Sequence, residues 1–198
     1  MARRLIQEVS TMSGEDIFRA IKERQIVALM FHDQSADLFD FLGLKGFKRM
    51  HEYQYLSESI EHRKLSRYYL NHHNKLLFEE QLDNPRAVPE DWAKYTRFEV
   101  TPSIRKQSVE RSFGDYYDWE YETLKCYSEY ARRLLELGQV ADFNMVNCLI
   151  KDVDLELKYL SRMLITLKSI SYDSLQVEAM QQELHDYYKC KLKELELP

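Results

Sequence analysis

The chain has 198 residues, enough for one domain with a sizeable hydrophobic core. Charged residues make up 31% of it and apolar residues 44%, with only five glycines and four prolines, a composition that favours long helices over a sheet protein with frequent turns. The net charge of −5 gives no electrostatic reason to expect binding to nucleic acid or to an anionic membrane.

Five helices are predicted in chain order. The first starts after Ser13 with acids in its first turn, and glycines at positions 43 and 138 mark the ends of the first and third helices. The predicted helices cover roughly residues 14–41, 44–77, 104–137, 141–169 and 174–195. Residues 78–103 form a long crossover in which prolines interrupt the helical pattern, and its aromatic side chains indicate that it packs on the bundle.

Two long helical hairpins joined by a crossover are a standard bundle layout. The predicted fold is therefore all-α, with an antiparallel four-helix bundle in residues 1–172 and an extra C-terminal helix in residues 173–198. That last helix is a packing or oligomerisation element, since it either folds back on the bundle or pairs with another subunit.

Neither a disulfide framework nor a membrane segment is indicated. The three cysteines are widely spaced and no CxxC pair is present. The N-terminal segment lacks the apolar stretch of a secretory signal, and the longest apolar run, residues 26–31, is too short to span a membrane. We therefore expect a soluble, cytoplasmic protein.

Four glutamates at matched spacing are the most informative feature of the chain. Glu23 and Glu58 lie 35 residues apart (58 − 23), and Glu120 and Glu156 lie 36 apart (156 − 120). At about 3.6 residues per turn, each interval suits one helix, a short turn and a returning helix. Each hairpin would then hold two carboxylates at similar height inside the bundle, where converging acids favour a metal ion.

The helical faces support this interpretation for three of the four residues. Glu156 lies on the most apolar stripe of the chain, and Glu120 and Glu23 also share their faces with apolar or aromatic residues. The face of Glu58 is mixed. Lys and Arg are scarce on these stripes, so the carboxylates lack an obvious positive partner.

Four further residues are candidate ligands. His62 lies four residues after Glu58, about 40° away on the same face, and offers an imidazole nitrogen, although Glu61 competes for that role. The fourth helix offers Asp152 and Tyr159 near its glutamate, and a tyrosine there can bond a carboxylate, ligate ferric iron or simply pack.

A metal-free explanation stays open at this point. A buried glutamate is more often hydrogen-bonded to a tyrosine or histidine than bound to metal, and the chain offers 14 tyrosines. With 33 acidic residues, matched spacing also arises by chance.

The first hairpin resembles the ferritin-like superfamily. Residues 44–47 (LKGF) and 56–62 (LSESIEH) are similar to the second helix of ferritins and bacterioferritins, which carries Glu-x-x-His after a lone glutamate on the first helix. Glu23 matches the lone glutamate and Glu58 the first residue of the motif. At the third following position stands Glu61, with the histidine one place further on.

The second hairpin carries a weaker version of the same pattern. Residues 118–120 (DWE) resemble the start of the third helix in some ferritins, where Glu120 would be the ligand. Residues 154–159 (DLELKY) take the place of a second Glu-x-x-His, with Tyr159 where the histidine belongs.

The resemblance implies two iron or manganese ions bridged by Glu58 and Glu156. Glu23 and Glu120 would cap the ends, and His62 would supply the nitrogen ligand. Such a centre reacts with dioxygen or peroxide, so it would oxidise Fe(II), remove peroxide or oxygenate a small substrate. Iron storage is less attractive, because the crossover and the final helix would have to fit around a cage. We expect a homo-oligomer, a dimer.

Two hypotheses without a metal remain as alternatives to the di-metal centre. A ferritin-fold protein that lacks a working metal site would act by binding or as a structural or oligomeric protein, its acids held by tyrosine, histidine and water. A plain helical scaffold would carry the same glutamate spacing by coincidence.

Overall fold

The computed structural model describes residues 8–77 and 100–195, and these ranges contain five long helices and no strand. The helices are α1 (Gly14–Phe41), α2 (Lys45–His73), α3 (Pro102–Glu136), α4 (Val140–Ser169) and α5 (Ser174–Leu195). Their bounds agree with the predicted ones within two residues except at the end of α2. There the left-handed Asn74, with φ of 53°, ends the helix before the predicted position 77. The crossover prediction for residues 78–99 lies outside the described residues.

Side-chain caps and left-handed glycines fix the ends of the helices in both hairpins. Ser13 and Asp16 form a capping box at the start of α1, and Thr101 accepts the Ile104 N–H at the start of α3. Gly43 and Gly138 both adopt φ of 73°, a left-handed conformation that glycine takes without a steric penalty. Each glycine therefore turns one long helix directly into the next.

The four bundle helices enclose two apolar clusters, one at each end. α1 packs on α2, α3 packs on α4, and α1 also contacts α3. Along α1 the first cluster ends at Ile21 and the second begins at Phe31, and along α3 the second ends at Tyr116 before the first resumes at Cys126. Glu23, Glu58 and Glu120 lie in the stretches between the clusters, and Glu156 directly precedes Leu157, the last residue of its helix in the first cluster. We call the region of these four glutamates the polar layer.

The C-terminal helix folds back on the bundle, against α2. The Gly46 N–H donates to the Gln181 side chain at 2.7 Å, and a Cβ at Gly46 would lie 1.7 Å from the Gln181 carbonyl oxygen. Tyr188 and Leu192 are buried at this interface, whereas Leu175 is 83% exposed. Among the helices in the described ranges, none is both long enough and apolar enough to cross a membrane.

Candidate metal centre

Three of the four predicted glutamates, Glu58, Glu120 and Glu156, feel the charge of Glu61, and Glu58 also feels the charges of the other two. Burial raises the pKa of Glu58 well above its ordinary value, and the charges of Glu61, Glu156 and Glu120 raise it further. Burial also raises the pKa of Glu156 to about 8, with the Glu61 charge as the second cause. These carboxyl groups therefore share one electrostatic environment built from α2, α3 and α4.

Burial is also the largest cause of the raised pKa values of Glu61 and Glu120. Burial raises the pKa of Glu61 to about 7, the Asp152 charge adds to it and Lys64 opposes it. Burial raises the pKa of Glu120 to about 7, against the lowering effect of Arg24. Near neutral pH, the layer holds protons that a bound cation would displace.

Glu156 accepts hydrogen bonds from two side chains that the sequence does not predict as its partners. The Tyr116 hydroxyl and the Gln54 amide both donate to its Oε1 atom, and Gln54 Nε2 lies 3.0 Å from the Tyr116 oxygen. Tyr116 lies four residues before Glu120 on α3 and therefore on the same helical face as Glu120. Which glutamate it bonds depends on how α3 meets α4, and helical period alone does not contain that information.

A cation from α1 stands beside the carboxylates. Arg24 Nη2 donates to Thr123 Oγ1 at 2.6 Å, and its guanidinium lies over the Trp119 ring, 4.3 Å from the centroid. Its charge lowers the pKa of Glu120. Arg24 lies about 100° around α1 from Glu23, so it is not on the helical face that carries that glutamate.

The other predicted residues have different surroundings. Glu23 is half-buried and its charge acts on Tyr130, whose pKa burial raises to about 12. His62 is half-buried on α2. Asp152 is exposed and acts on Glu61. Tyr159 interacts with Tyr188 of α5.

The polar layer does not hold a preformed coordination shell. Within the described ranges, the one group of three or more His, Cys, Asp or Glu side chains whose ligand atoms all lie within 4.8 Å of one another is His72, His73 and Asp142, near one end of the bundle. A metal in the polar layer would therefore have to draw the carboxylates inward. Their hard oxygen donors suit iron, manganese or magnesium.

A buried histidine pair adjoins the layer on the side of Tyr116. His32 and His51 approach to 2.9 Å between their Nδ1 atoms, and the Tyr116 ring lies against both. Burial lowers the pKa of His32 to about 3 and that of His51 well below its ordinary value, so the pair is neutral. Within this pair, the buried Nε2 atom of His51 has no hydrogen-bond partner.

Comparisons with known proteins give structural likeness without sequence likeness. No protein-family model matches the chain, and comparison with curated proteins finds no significant match. The chain is similar to the open-pore ferritin of the archaeon Archaeoglobus fulgidus, at 16% identity and a TM-score of 0.72, over 89% of this chain and 98% of that one. An engineered closed form of that ferritin has the same identity and TM-score over 88% and 97% of the two chains. A humanized archaeal ferritin matches at 17% identity and a TM-score of 0.71, over 88% and 98%. The chain therefore has the ferritin-like four-helix-bundle fold.

Proposed function

We propose that the polar layer binds two iron or manganese ions and that the protein is a di-metal carboxylate protein of redox function. The observation that supports this most is the raised pKa of Glu58, Glu61, Glu120 and Glu156 in the middle of the bundle, caused first by burial, with the Glu61 charge raising the pKa values of the other three. Buried carboxylates that repel one another are stable only with protons or with a cation between them.

The ligand set that we propose is richer in carboxylate than the predicted one. Glu58, Glu120 and Glu156 remain proposed ligands, and Glu61 joins them, because its charge raises the pKa values of all three. Glu23 and His62 stay proposed ligands, as the sequence predicts. An oxygen-rich set stabilises the oxidised ions of iron and manganese.

Iron or manganese would supply one-electron changes to dioxygen or peroxide, and the side chains of the chain prepare the site for it. The two apolar clusters keep bulk water away from both ends of the layer. Tyr116 and Gln54 hold the Glu156 carboxylate by two hydrogen bonds, which orients it toward the layer. The similar solved structures are ferritins, which makes Fe(II) the first substrate to test.

The test is the oxidation of Fe(II) by dioxygen or peroxide after anaerobic loading of the metal-stripped protein. We expect stopped-flow absorbance to show oxidation faster than in buffer, and we expect Glu156→Gln to abolish the acceleration. Glu122→Gln is the matched control, since Glu122 lies on the same bundle but pairs with Lys125 at the surface. A rate equal to that of buffer, or an unaffected Glu156→Gln protein, contradicts the proposal.

A ferritin-fold protein without metal is the second candidate, and Arg24 is the observation that favours it. The guanidinium already supplies a positive charge to Glu120, and Tyr116 and Gln54 already satisfy Glu156. In this case the protein acts by binding or as a structural protein, and Fe(II) loading changes neither absorbance nor melting temperature.

We also propose that the protein works in the cytoplasm as a homo-oligomer, a dimer. The supporting observation is a set of large apolar side chains that are more than half exposed on α4 and α5, namely Val140, Leu155, Ile165, Leu175 and Tyr187. Light scattering of the purified protein measures the mass, and a monomer at micromolar concentration contradicts this proposal.

A further inference from the structure

A second set of metal-ligating side chains lies near the end of the bundle where α2 finishes and α4 begins. The ligand atoms of His72, His73 and Asp142 all lie within 4.8 Å of one another. His72 is eleven residues beyond Glu61 (72 − 61) on α2, or about 16 Å along the helix axis at 1.5 Å per residue. The set is therefore separate from the polar layer.

Packing orients all three side chains. Asp142 is buried in the first turn of α4, where its Oδ1 accepts the Tyr68 hydroxyl at 2.9 Å and lies 3.0 Å from His73 Nε2. The His73 ring stacks on Tyr69 with centroids 4.5 Å apart, and the His72 ring stacks on Tyr68 at 5.4 Å. Both stacked pairs join residues four apart on one helix, so α2 itself aims the rings.

We propose that His72, His73 and Asp142 bind one zinc ion, with water as the fourth ligand. With zinc–nitrogen and zinc–oxygen bonds of about 2.0–2.1 Å, ligand atoms at the corners of a tetrahedron stand about 3.3 Å apart. The observed separations, 3.0 Å between His73 Nε2 and Asp142 Oδ1 and no more than 4.8 Å for any pair, are compatible with this value. Two imidazoles and a carboxylate are donors that zinc prefers, and three protein ligands leave one position open.

The surroundings supply the other requirements of a zinc site. The exposed His72 leaves an entry path from solvent, while Asp142 anchors the site in the protein. The Tyr68 hydroxyl donates to the Asp142 carboxylate and fixes its orientation, as hydrogen-bond donors commonly do for metal ligands.

The same contacts also have an explanation without metal, and the two explanations differ in whether His72 is needed. A hydrogen-bonded network of Tyr68, Asp142 and His73 satisfies the buried carboxylate without any ion. That network does not require His72, whereas a zinc site with three protein ligands does. His72→Ala is therefore the discriminating substitution, and it removes an exposed side chain.

The experiment is calorimetric titration of the chelator-stripped full-length protein with Zn²⁺, in wild type, His72→Ala and the control His185→Ala. We expect wild type and the control to bind zinc at this site, and His72→Ala to bind it more than about 100-fold more weakly, because even the loss of a group that only hydrogen-bonds a metal ligand lowers affinity roughly 10–100-fold. Co²⁺ in place of zinc should give the visible absorption of a four-coordinate site in wild type and not in His72→Ala.

Two controls separate this site from the polar layer and from misfolding. Glu58→Gln changes the polar layer and should leave the cobalt absorption intact, so the two proposals can fail independently. Without zinc, His72→Ala should melt as wild type does, and added zinc should raise the melting temperature of wild type alone. Absence of zinc binding, or equal zinc affinity in His72→Ala and wild type, overturns the proposal.

Discussion

Burial sets the charge of the ionisable side chains in the middle of this bundle, and it does so in opposite directions for acids and bases. It raises the pKa values of Glu61 and Glu156 to about 7 and about 8, and it lowers the pKa of His32 to about 3. In each case the low-dielectric interior favours the neutral form. The acids and the histidines therefore give the stability of the metal-free protein two distinct pH dependences.

The alkaline dependence comes from the glutamates. Between the ordinary pKa of 4.5 and the raised values of about 7 to 8, the native state binds more protons than the unfolded state, so the free energy of unfolding falls as pH rises through this window. Denaturant unfolding in the presence of chelator, from pH 6.5 to 8.5, should show this fall, and Glu156→Gln should reduce it. A free energy that stays level or rises over this range in wild type contradicts the pKa assignment.

The acidic dependence comes from the histidine pair. His32 and His51 must stay neutral in the native state, while the unfolded histidines take up protons below pH 6.5. Stability contributed by the neutral pair is complete above pH 6.5 and is lost as pH falls below it. The double variant His32→Phe/His51→Phe should lose less stability between pH 6.5 and 5 than wild type does.

The single variant of that pair gives the cost of an unmet hydrogen bond. His51→Phe leaves the buried Nδ1 of His32 without its partner at 2.9 Å, and we expect a loss of about 1–3 kcal/mol of stability at pH 7. The double variant should recover most of it, because neither aromatic ring then carries an unpaired polar atom. Equal stability of the single and double variants would argue against a hydrogen bond between the imidazoles.

Periodicity predicted part of the candidate site and missed the rest for identifiable reasons. Glu58, Glu120 and Glu156 were found because a helix repeats about every 3.6 residues, so residues of similar height can be counted from the turn. Arg24 was not predicted because it lies about 100° from Glu23, and Gln54 was not predicted because its partner Glu156 is on another helix. Whether such a long side chain reaches the layer depends on its rotamer and on the helix crossing.

At the scale of the elements, glycine acts in two different ways in this fold. Gly43 and Gly138 permit left-handed turns, and Gly46 permits the close approach of α5 to α2. The turns were predictable, because a glycine after a helical pattern is a common stop signal. The role of Gly46 was not, since it arises from contact with Gln181, which is 135 residues away in the chain.

The matched pair Gly46→Ala and Gly114→Ala tests that packing. A Cβ at position 46 would lie 1.7 Å from the Gln181 backbone oxygen, so α5 must shift, and we expect a loss of about 1–3 kcal/mol or more. A Cβ at position 114 meets no atom within 4 Å in the middle of α3, and there alanine should add about 0.5–1 kcal/mol. Thermal unfolding measures both. Similar effects of the two substitutions would mean that α5 does not dock as described.

At the scale of the whole molecule, the bundle is divided into two apolar ends and a polar middle. The arrangement places repelling carboxyl groups where they are costly, which is why a cation or bound protons must accompany them. The layout of four helices in two hairpins followed from the hydrophobic pattern and the glycine stops. The separation of the two apolar clusters is apparent only with the helices side by side, because each of the four bundle helices contributes to both.

The most direct test of a metal in the polar layer is elemental analysis of protein purified without chelator, with the melting temperature measured before and after addition of Fe(II) or Mn(II). We expect close to two equivalents of iron or manganese and a raised melting temperature in wild type and in Glu122→Gln. Both should be lost in the double variant Glu58→Gln/Glu156→Gln. A wild-type protein free of iron and manganese, with a melting temperature that neither ion changes, would contradict a metal centre in this bundle.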